Sequence, residues 1–596
     1  MAKAKTKSVV LANNDLIYLW WSLPKKIDNC LGFSIHRIVD NVEEPTGLYA
    51  TVGFNKEEDS RKSPQTTDEW PIQSFNWKDL YAPHNKEIKY KIYPMIGTWD
   101  NLEKDEINSI ITESTKRTQE YGEAKVIFNR GILSTQAFAK SGKKGKTVTK
   151  AEAKEFITNP SSIWRKRLGG QMLFNVNSFF KKASENGGKY YAALYELTDD
   201  VLIKELTKNK GTEIILSNAN KSETKIVNGK EKTITINDGT NETTRMNLHS
   251  NKKIKVYDRM LGSHIGHNKF VIYVDNEGTP QSILTGSTNW TPTGLCGQTN
   301  NMIIINSEKI ATQYKDYWDQ MKLEYERDEK QGADFREWCA SNSTTNKMNK
   351  NANLTLWFSP NTVQKSKPKN PATPIDMQAV FDLIEKAKES VLYLVFNPGS
   401  PSIIDKIKEV ASKRPEGKPL FVRGAVSDAK IAKSVTTNIV SSDILEKPAT
   451  YYFDRVTGVA AIPGPFSYFE GELLKLGFST IHDKLLVIDP FSDDCVVITG
   501  SHNLGYAASY KNDENMLIIK KDKAIAQAYA THVLDIVNHF KWRYKLQDKI
   551  LKAGAKTLAQ KEVVLKKEWN DLSESDEWMD YYFDETGFIN RDRFIF

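Results

Sequence analysis

The sequence predicts an α/β protein of two related lobes, preceded by a small all-β sandwich. Three observations carry this expectation. The N-terminal part shows short aromatic and β-branched runs between polar turn clusters. After about residue 118, strand-like and helix-like segments alternate. One arrangement of His, Lys, Gly, Ser and Asn occurs twice.

Residues 15–23 (DLIYLWWSL), 32–39 (GFSIHRIV) and 87–93 (EIKYKIY) supply the first observation. In the last, Ile88, Tyr90 and Ile92 alternate with Lys89 and Lys91, the period of a half-buried strand. Trp20, Trp21 and Trp77 read as core of this sandwich. The pattern resembles a fibronectin type III-like module. Further on, 190–194 reads as a strand, 199–208 as a helix and 213–217 as a strand. Residues 391–396, 402–412 and 420–422 repeat that order. The expected division is a sandwich over 1–115, a first lobe over 116–335, a linker over 336–352, a second lobe over 353–545, and a C-terminal helix with an acidic aromatic tail over 546–596. The linker is inferred from its Asn, Ser, Thr and Lys content.

A chain of 596 residues is too long for one core, and its 39% hydrophobic content suits an ordinary globular protein. No apolar run reaches membrane-spanning length, and residues 9–12 are too short for a signal-peptide core, so a cytoplasmic protein is expected. Cys30, Cys296, Cys339 and Cys495 have no zinc-like spacing and read as reduced thiols. A net charge of +8 permits a phosphate-bearing substrate without requiring one.

The repeat is the main functional signal. One copy reads His267-Asn268-Lys269 and, after a second strand, Gly286-Ser287-Thr288-Asn289. The other reads His482-Asp483-Lys484, then Gly500-Ser501-His502-Asn503. The two His-to-Gly spacings differ by a single residue. Residues 123–129 and 353–359 open the two copies, and a long helix follows, most clearly at 376–388.

His and Lys two apart on a strand share a face. Two such units, face to face, surround a tetrahedral anion with two lysines and two asparagines, and place an imidazole on either side of the phosphorus. One histidine can attack while the other protonates the leaving oxygen. This chemistry needs neither metal nor cofactor, and no carboxylate cluster suggests a metal site.

These paired motifs resemble those of the phospholipase D superfamily, with the likeness covering roughly residues 118–545. The resemblance implies two pseudo-twofold-related lobes with the site at their interface, and catalysis through a covalent phosphohistidine. It implies His267 as nucleophile and His482 as general acid, with Lys269, Lys484, Asn289, Asn503, Asp489 and Glu514 also catalytic and Ser287 and Ser501 binding substrate. Two departures stand out. Asp489 follows Lys484 at the family's spacing, but Asp275 follows Lys269 one residue late, which reverses strand parity unless a bulge absorbs it. Glu514 matches a carboxylate found after the second motif, whereas the first copy has Asn300 there. The first copy's histidine is therefore expected to lack its carboxylate.

The basic run at 140–146 (KSGKKGK) and Trp164-Arg165-Lys166-Arg167 could track a nucleic-acid backbone, although a solvated loop and a helix surface are the simpler readings. The tail aromatics Trp569, Trp578, Tyr581, Tyr582 and Phe583 could cover the site, but ordinary packing is favoured. His264 and His502 read as structural. The expected reaction is hydrolysis at a phosphodiester, with nucleic acid the first choice of substrate. The alternatives are a phospholipase or phospholipid transferase, and a scaffold with a decayed site that binds a protein partner through its N-terminal domain.

Overall fold

The computed structural model describes residues 7–54, 64–131, 138, 148–227, 230–349, 352–415, 420–427, 480–554, 560 and 572–583. The basic run at 140–146 and Trp569 lie outside them. The chain divides into two units, one of residues 1–119 with 545–596 and one of residues 120–544.

In the first unit, β1 (Lys7–Ala12), β2 (Ile17–Ser22) and a later strand, Asn76–Asp79, form one antiparallel sheet. A second sheet is built on β3 (Cys30–Val39). Counting Asn76–Asp79 as β4, its other long strand is β5 (Glu87–Thr98). Alternation fixes the faces: Ile88, Tyr90 and Ile92 are fully buried, while Glu87, Lys89 and Lys91 point outward. They meet Trp21, Phe33 and Ile35 in one core shared by the two sheets. Trp20 is also buried, and Trp77 packs at the margin. A buried cluster joins the sheets, with Asp79 accepting bonds from the Arg37 guanidinium (2.8 Å) and the Tyr90 hydroxyl (2.8 Å). The tail segment 572–583 belongs to this unit and packs in the ordinary way. Met579 and Phe583 enter the core, the Trp578 indole donates to the Cys30 carbonyl (2.9 Å), and Lys26 pairs with Asp576 and Asp580.

The second unit holds two sheets of matching order. The first lobe contains β6 (Ala124–Phe128), β7 (Lys189–Leu194), β8 (Glu213–Ser217), β9 (Lys255–Arg259), β10 (Lys269–Val274), β11 (Pro280–Gly286) and β12 (Asn301–Ile305). Across the sheet they run β6-β12-β11-β10-β7-β8-β9. The second lobe contains β13 (Ala352–Ser359), β14 (Ser390–Val395), β15 (Phe421–Val426), β16 (Lys484–Ile488), β17 (Val496–Gly500) and β18 (Asn512–Lys520), in the order β13-β18-β17-β16-β14-β15. The central strands are buried on both faces, which is why they read as continuous apolar runs. Helices α1 (Gln171–Asn186), α2 (Asp200–Lys208) and α3 (Glu308–Glu326) accompany the first sheet. Helices α4 (Ile375–Glu385), α5 (Ile403–Ser412) and α6 (Lys523–Lys552) accompany the second. α2 starts where Asp199 caps the Leu202 amide, and α5 where Ser402 and Asp405 form a capping box.

One expectation needs correction. The segment 336–352 is not a linker. It holds the end of helix Ala333–Ser341 and an edge strand, Thr344–Met348, paired with β13. Its polar side chains suit an edge strand, with Asn346 and Met348 buried and Thr344, Thr345 and Lys347 exposed. Trp164-Arg165-Lys166-Arg167 lies on a helix surface, the simpler of its two readings; Arg165 is buried in a pair with Asp199 (2.8 Å), and Lys166 and Arg167 are exposed. The irregularity expected before Asp275 does occur, as a register shift between Tyr273 and Val274 in the β10–β11 pairing.

Candidate active site

The lobes exchange backbone where the two motifs begin. Ile265–Gly266, leading into His267, pairs with the start of β18, and the His267 amide donates to the Asp513 carbonyl (2.9 Å). Gln298–Thr299 pairs with Thr480–Ile481, and the His482 amide donates to the Thr299 carbonyl (3.1 Å). Each histidine thus enters beside a residue ten positions past the other lobe's Gly-Ser-x-Asn turn.

The side chains follow that exchange. His267 Nδ1 lies 2.9 Å from both oxygens of Glu514, and His482 Nδ1 lies 3.0 Å from Asn300 Oδ1. The Asn300 amide is oriented by its Nδ2, which donates to the Gly294 carbonyl (2.8 Å), so its oxygen faces the imidazole. In both rings Nδ1 then carries the proton; Nε2 of His267 is left for chemistry, and Nε2 of His482 faces the Lys484 ammonium (3.3 Å). This reverses the expectation from sequence. The first copy's histidine has the carboxylate, and His482 has the neutral amide.

Lys269 and Lys484 occupy equivalent places. Each ammonium donates to the carbonyl of its own motif's histidine (2.7 Å). Each stands 5.2 Å from an aromatic ring, Tyr195 for Lys269 and Phe396 for Lys484. The same rings pack against His267 (5.0 Å) and His482 (4.9 Å). The middle residues of the motifs lock the lobes. Asn268 accepts from Asn515 (2.9 Å), and Asp483 accepts from Asn301 (2.6 Å) and pairs with His532 on α6 (3.1 Å).

Electrostatics follow from burial. It pushes His267 down to about 4 despite Glu514, and pushes His482 well below the usual imidazole value, helped by Lys484 and Lys269. Burial likewise lowers Lys269 to about 7, against the pull of Glu514 and Glu196, and lowers Lys484 further from its usual value. Burial works against the charge on Glu514, but His267 and Lys269 outweigh it and hold the carboxyl below its ordinary value.

Asn289 and Asn503 lie at the turns, each with a buried Oδ1 that has no protein partner. Ser287 and Ser501 are not free to bind substrate. Ser287 accepts from the Asn301 amide (3.0 Å) and donates to Asn300 (2.8 Å), and Ser501 accepts from the Asn515 amide (3.0 Å). They tie the turns to the adjoining strands. Gly286 and Gly500 have φ of +151° and +132°, and a Cβ would meet a carbonyl oxygen at 2.3 and 2.4 Å, so the turns require glycine.

Asp489 is not at the site. It stands past the far end of β16 and accepts from the amides of Lys388, Glu389 and Ser390 (2.7–2.8 Å), a turn-holding role. It lies seven residue steps along an extended chain from His482, roughly 23 Å. Asp275 likewise caps its own turn through the Glu277 and Thr279 amides. His264 bonds Gln331 (2.6 Å). His502 is buried with Asp376 and Ser509 beneath the second turn, and its Nδ1 accepts from the Leu504 amide (3.0 Å). One residue missed in the sequence belongs to the site. Glu196, just past β7, accepts from Asn289 Nδ2 (2.6 Å) and acts electrostatically on both lysines. Among the described residues no group of three or more His, Cys, Asp or Glu could hold a metal ion. No described helix is long and apolar enough to cross a membrane.

No curated protein matches the chain. Solved structures that resemble it include phosphatidylserine synthase from Haemophilus influenzae Rd KW20 (11% identity, 67% of this chain and 91% of that one, TM-score 0.36). A phospholipase D family member, Nuc, from Salmonella typhimurium is also similar (18% identity, 32% and 95%, TM-score 0.19). So is polyphosphate kinase from Porphyromonas gingivalis (9% identity, TM-score 0.32), which overlaps 58% of this chain while the chain spans only 45% of the kinase. A family model described as "Cardiolipin synthase, PLD-like domain" matches residues 189–322 and again 380–536. A phospholipase D-like domain is therefore present twice in this chain.

Proposed function

We propose that the protein is a phosphodiesterase that works through a phosphohistidine without a metal, and that its substrate is nucleic acid. The observation that carries this reading is the exchange of supports, in which each imidazole has Nδ1 held by the other lobe. His267 Nε2 attacks phosphorus, and the P–O bond to the leaving group breaks. His482, protonated, gives its Nε2 proton to that oxygen. In the second step neutral His482 takes a proton from water, the oxygen attacks phosphorus, and the P–N bond to His267 breaks. Lys269, Lys484, Asn289 and Asn503 stabilise charge on the non-bridging oxygens. Glu514 favours His267 as nucleophile, since a carboxylate on Nδ1–H raises the basicity of Nε2 and stabilises the positive ring that forms on phosphorylation. The net charge of +8 favours a polyanionic substrate.

The test is cleavage of single- and double-stranded DNA, RNA and anionic phospholipid vesicles in EDTA, with wild type and His482→Ala. Nucleic-acid cleavage that is lost in the variant and falls steeply with salt supports the nuclease reading. Head-group release from vesicles would make it a lipid enzyme, and cleavage of nothing would overturn the enzymatic reading.

The pH profile of kcat/KM tests the mechanism, because it reports the free enzyme. His267 must be neutral to attack, so activity rises as pH passes about 4. His482 must be protonated and the lysines charged, so activity falls where the first of these groups loses its proton. Burial holds His482 well below the usual imidazole value and Lys484 well below the usual lysine value, and Lys269 loses its proton at about 7, so the fall is complete by about that pH. The expected profile is a bell with its maximum on the acid side of neutrality. A plateau extending to the ordinary lysine range would contradict it.

A further inference from the structure

Glu196 is an acidic group in the site that neither histidine uses. Its place is fixed by register. Leu194 pairs with Lys269 across β7 and β10, as Val395 pairs with Lys484 across β14 and β16. The next residues, Tyr195 and Phe396, both lay a ring against the histidine of their lobe. One position further, the first lobe has Glu196 and the second has Asn397. The copies therefore differ by one carboxyl group at a matching point of the wall. Burial raises the Glu196 carboxyl above its ordinary value, while Lys269, Lys484 and the Asn289 side chain, which donates to Oε2 (2.6 Å), favour its charged form. That charge is felt by the lysines of both lobes. The other carboxylates that act on the lysines are committed elsewhere, Glu514 to His267 and Asp483 to Asn301 and His532.

A carboxylate beside two ammonium groups weakens the attraction for any anion, and it weakens it twice as much for a dianion as for a monoanion. A phosphodiester carries one negative charge. A phosphomonoester, with a second ionisation near about 6, carries nearly two at neutral pH. We infer that Glu196 is a specificity residue that selects the singly charged phosphodiester and rejects the doubly charged phosphomonoester. Hydrolysis of a diester converts the first into the second, so the same carboxylate speeds departure of the product. Asn289, which would touch the phosphate, is oriented by the residue that sets this preference.

The inference rests on the proposed binding of a phosphodiester between the lysines, and the test separates the two. Calorimetric titration of the full chain at about pH 7.5, above the second ionisation of a monoester, compares dimethyl phosphate, a monoanion, with methyl phosphate, largely a dianion. Wild type, Glu196→Gln and Glu196→Ala are measured together, with melting curves to show that each is folded. Binding of dimethyl phosphate to wild type supports the anion site itself. The expected result in both variants is methyl phosphate bound roughly tenfold tighter and dimethyl phosphate roughly threefold tighter, so that their ratio shifts. If both ligands bind and the ratio stays constant in the variants, the selection role is overturned while the site stands. If neither ligand binds any form, the phosphodiester reading fails and the inference with it. Glutamine can still accept from Asn289, so a shift seen in Glu196→Ala but not in Glu196→Gln would assign the effect to orientation of Asn289 and overturn the charge argument.

Discussion

His267→Ala and His482→Ala will each lower turnover by about ten-thousand-fold or more, because attack and proton transfer belong to one coupled machine. The two variants will fail differently. With a nitrophenyl diester, whose leaving group departs without a proton, His482→Ala retains the nucleophile and its Glu514 partner. It will phosphorylate His267 once and then stall, since no base remains to activate water. Rapid quench and mass spectrometry will find one equivalent of phosphohistidine at His267. His267→Ala will show no covalent species. An adduct on His482 would exchange the two roles, and substantial turnover in either variant would break the two-histidine model.

The second large effect concerns stability. Arg259 is buried against Asp513, to which its Nε and one terminal nitrogen donate, and the same terminal nitrogen donates to Glu324 (2.7 Å). Arg259→Met will leave two buried carboxylates without their counter-charge, at a cost of about 3–5 kcal/mol in denaturant unfolding. Lysine will not restore it, since one ammonium cannot span both acids as the guanidinium does. Asp513 precedes Glu514 and accepts the His267 amide, so the variant will also lose activity when assayed well below its melting temperature. A loss under about 1 kcal/mol would show that the carboxylates are satisfied by other groups.

The parts of this protein legible in its sequence are those written locally. The strand-helix-strand order at 190–217 and 391–426 was readable because apolar runs of strand length are separated by a capped helix, and both caps, Asp199 and Ser402, are visible in the chain. The motifs were readable because the same residues recur at nearly the same spacing. What failed was long-range or compositional. Glu514 and Asn300 were each assigned to their own copy, and nothing local says that the backbone of one lobe pairs with the entry strand of the other. Asp489 matched a spacing, yet a strand of this length carries it out of reach of the chemistry. Thr344–Met348 had the composition of a loop because one face of an edge strand meets water. Glu196 did leave a signal, since aligning the two copies one residue past their first strands sets it opposite Asn397.

The exchange between lobes also gives the site a direction. Residues 300 and 514 differ, amide against carboxylate, and because the supports cross, each lobe holds the ring that the other carries. Under the proposed mechanism this difference divides the labour between the imidazoles, and a linear polymer with unlike ends would have one productive sense of threading, with its departing oxygen toward the second lobe.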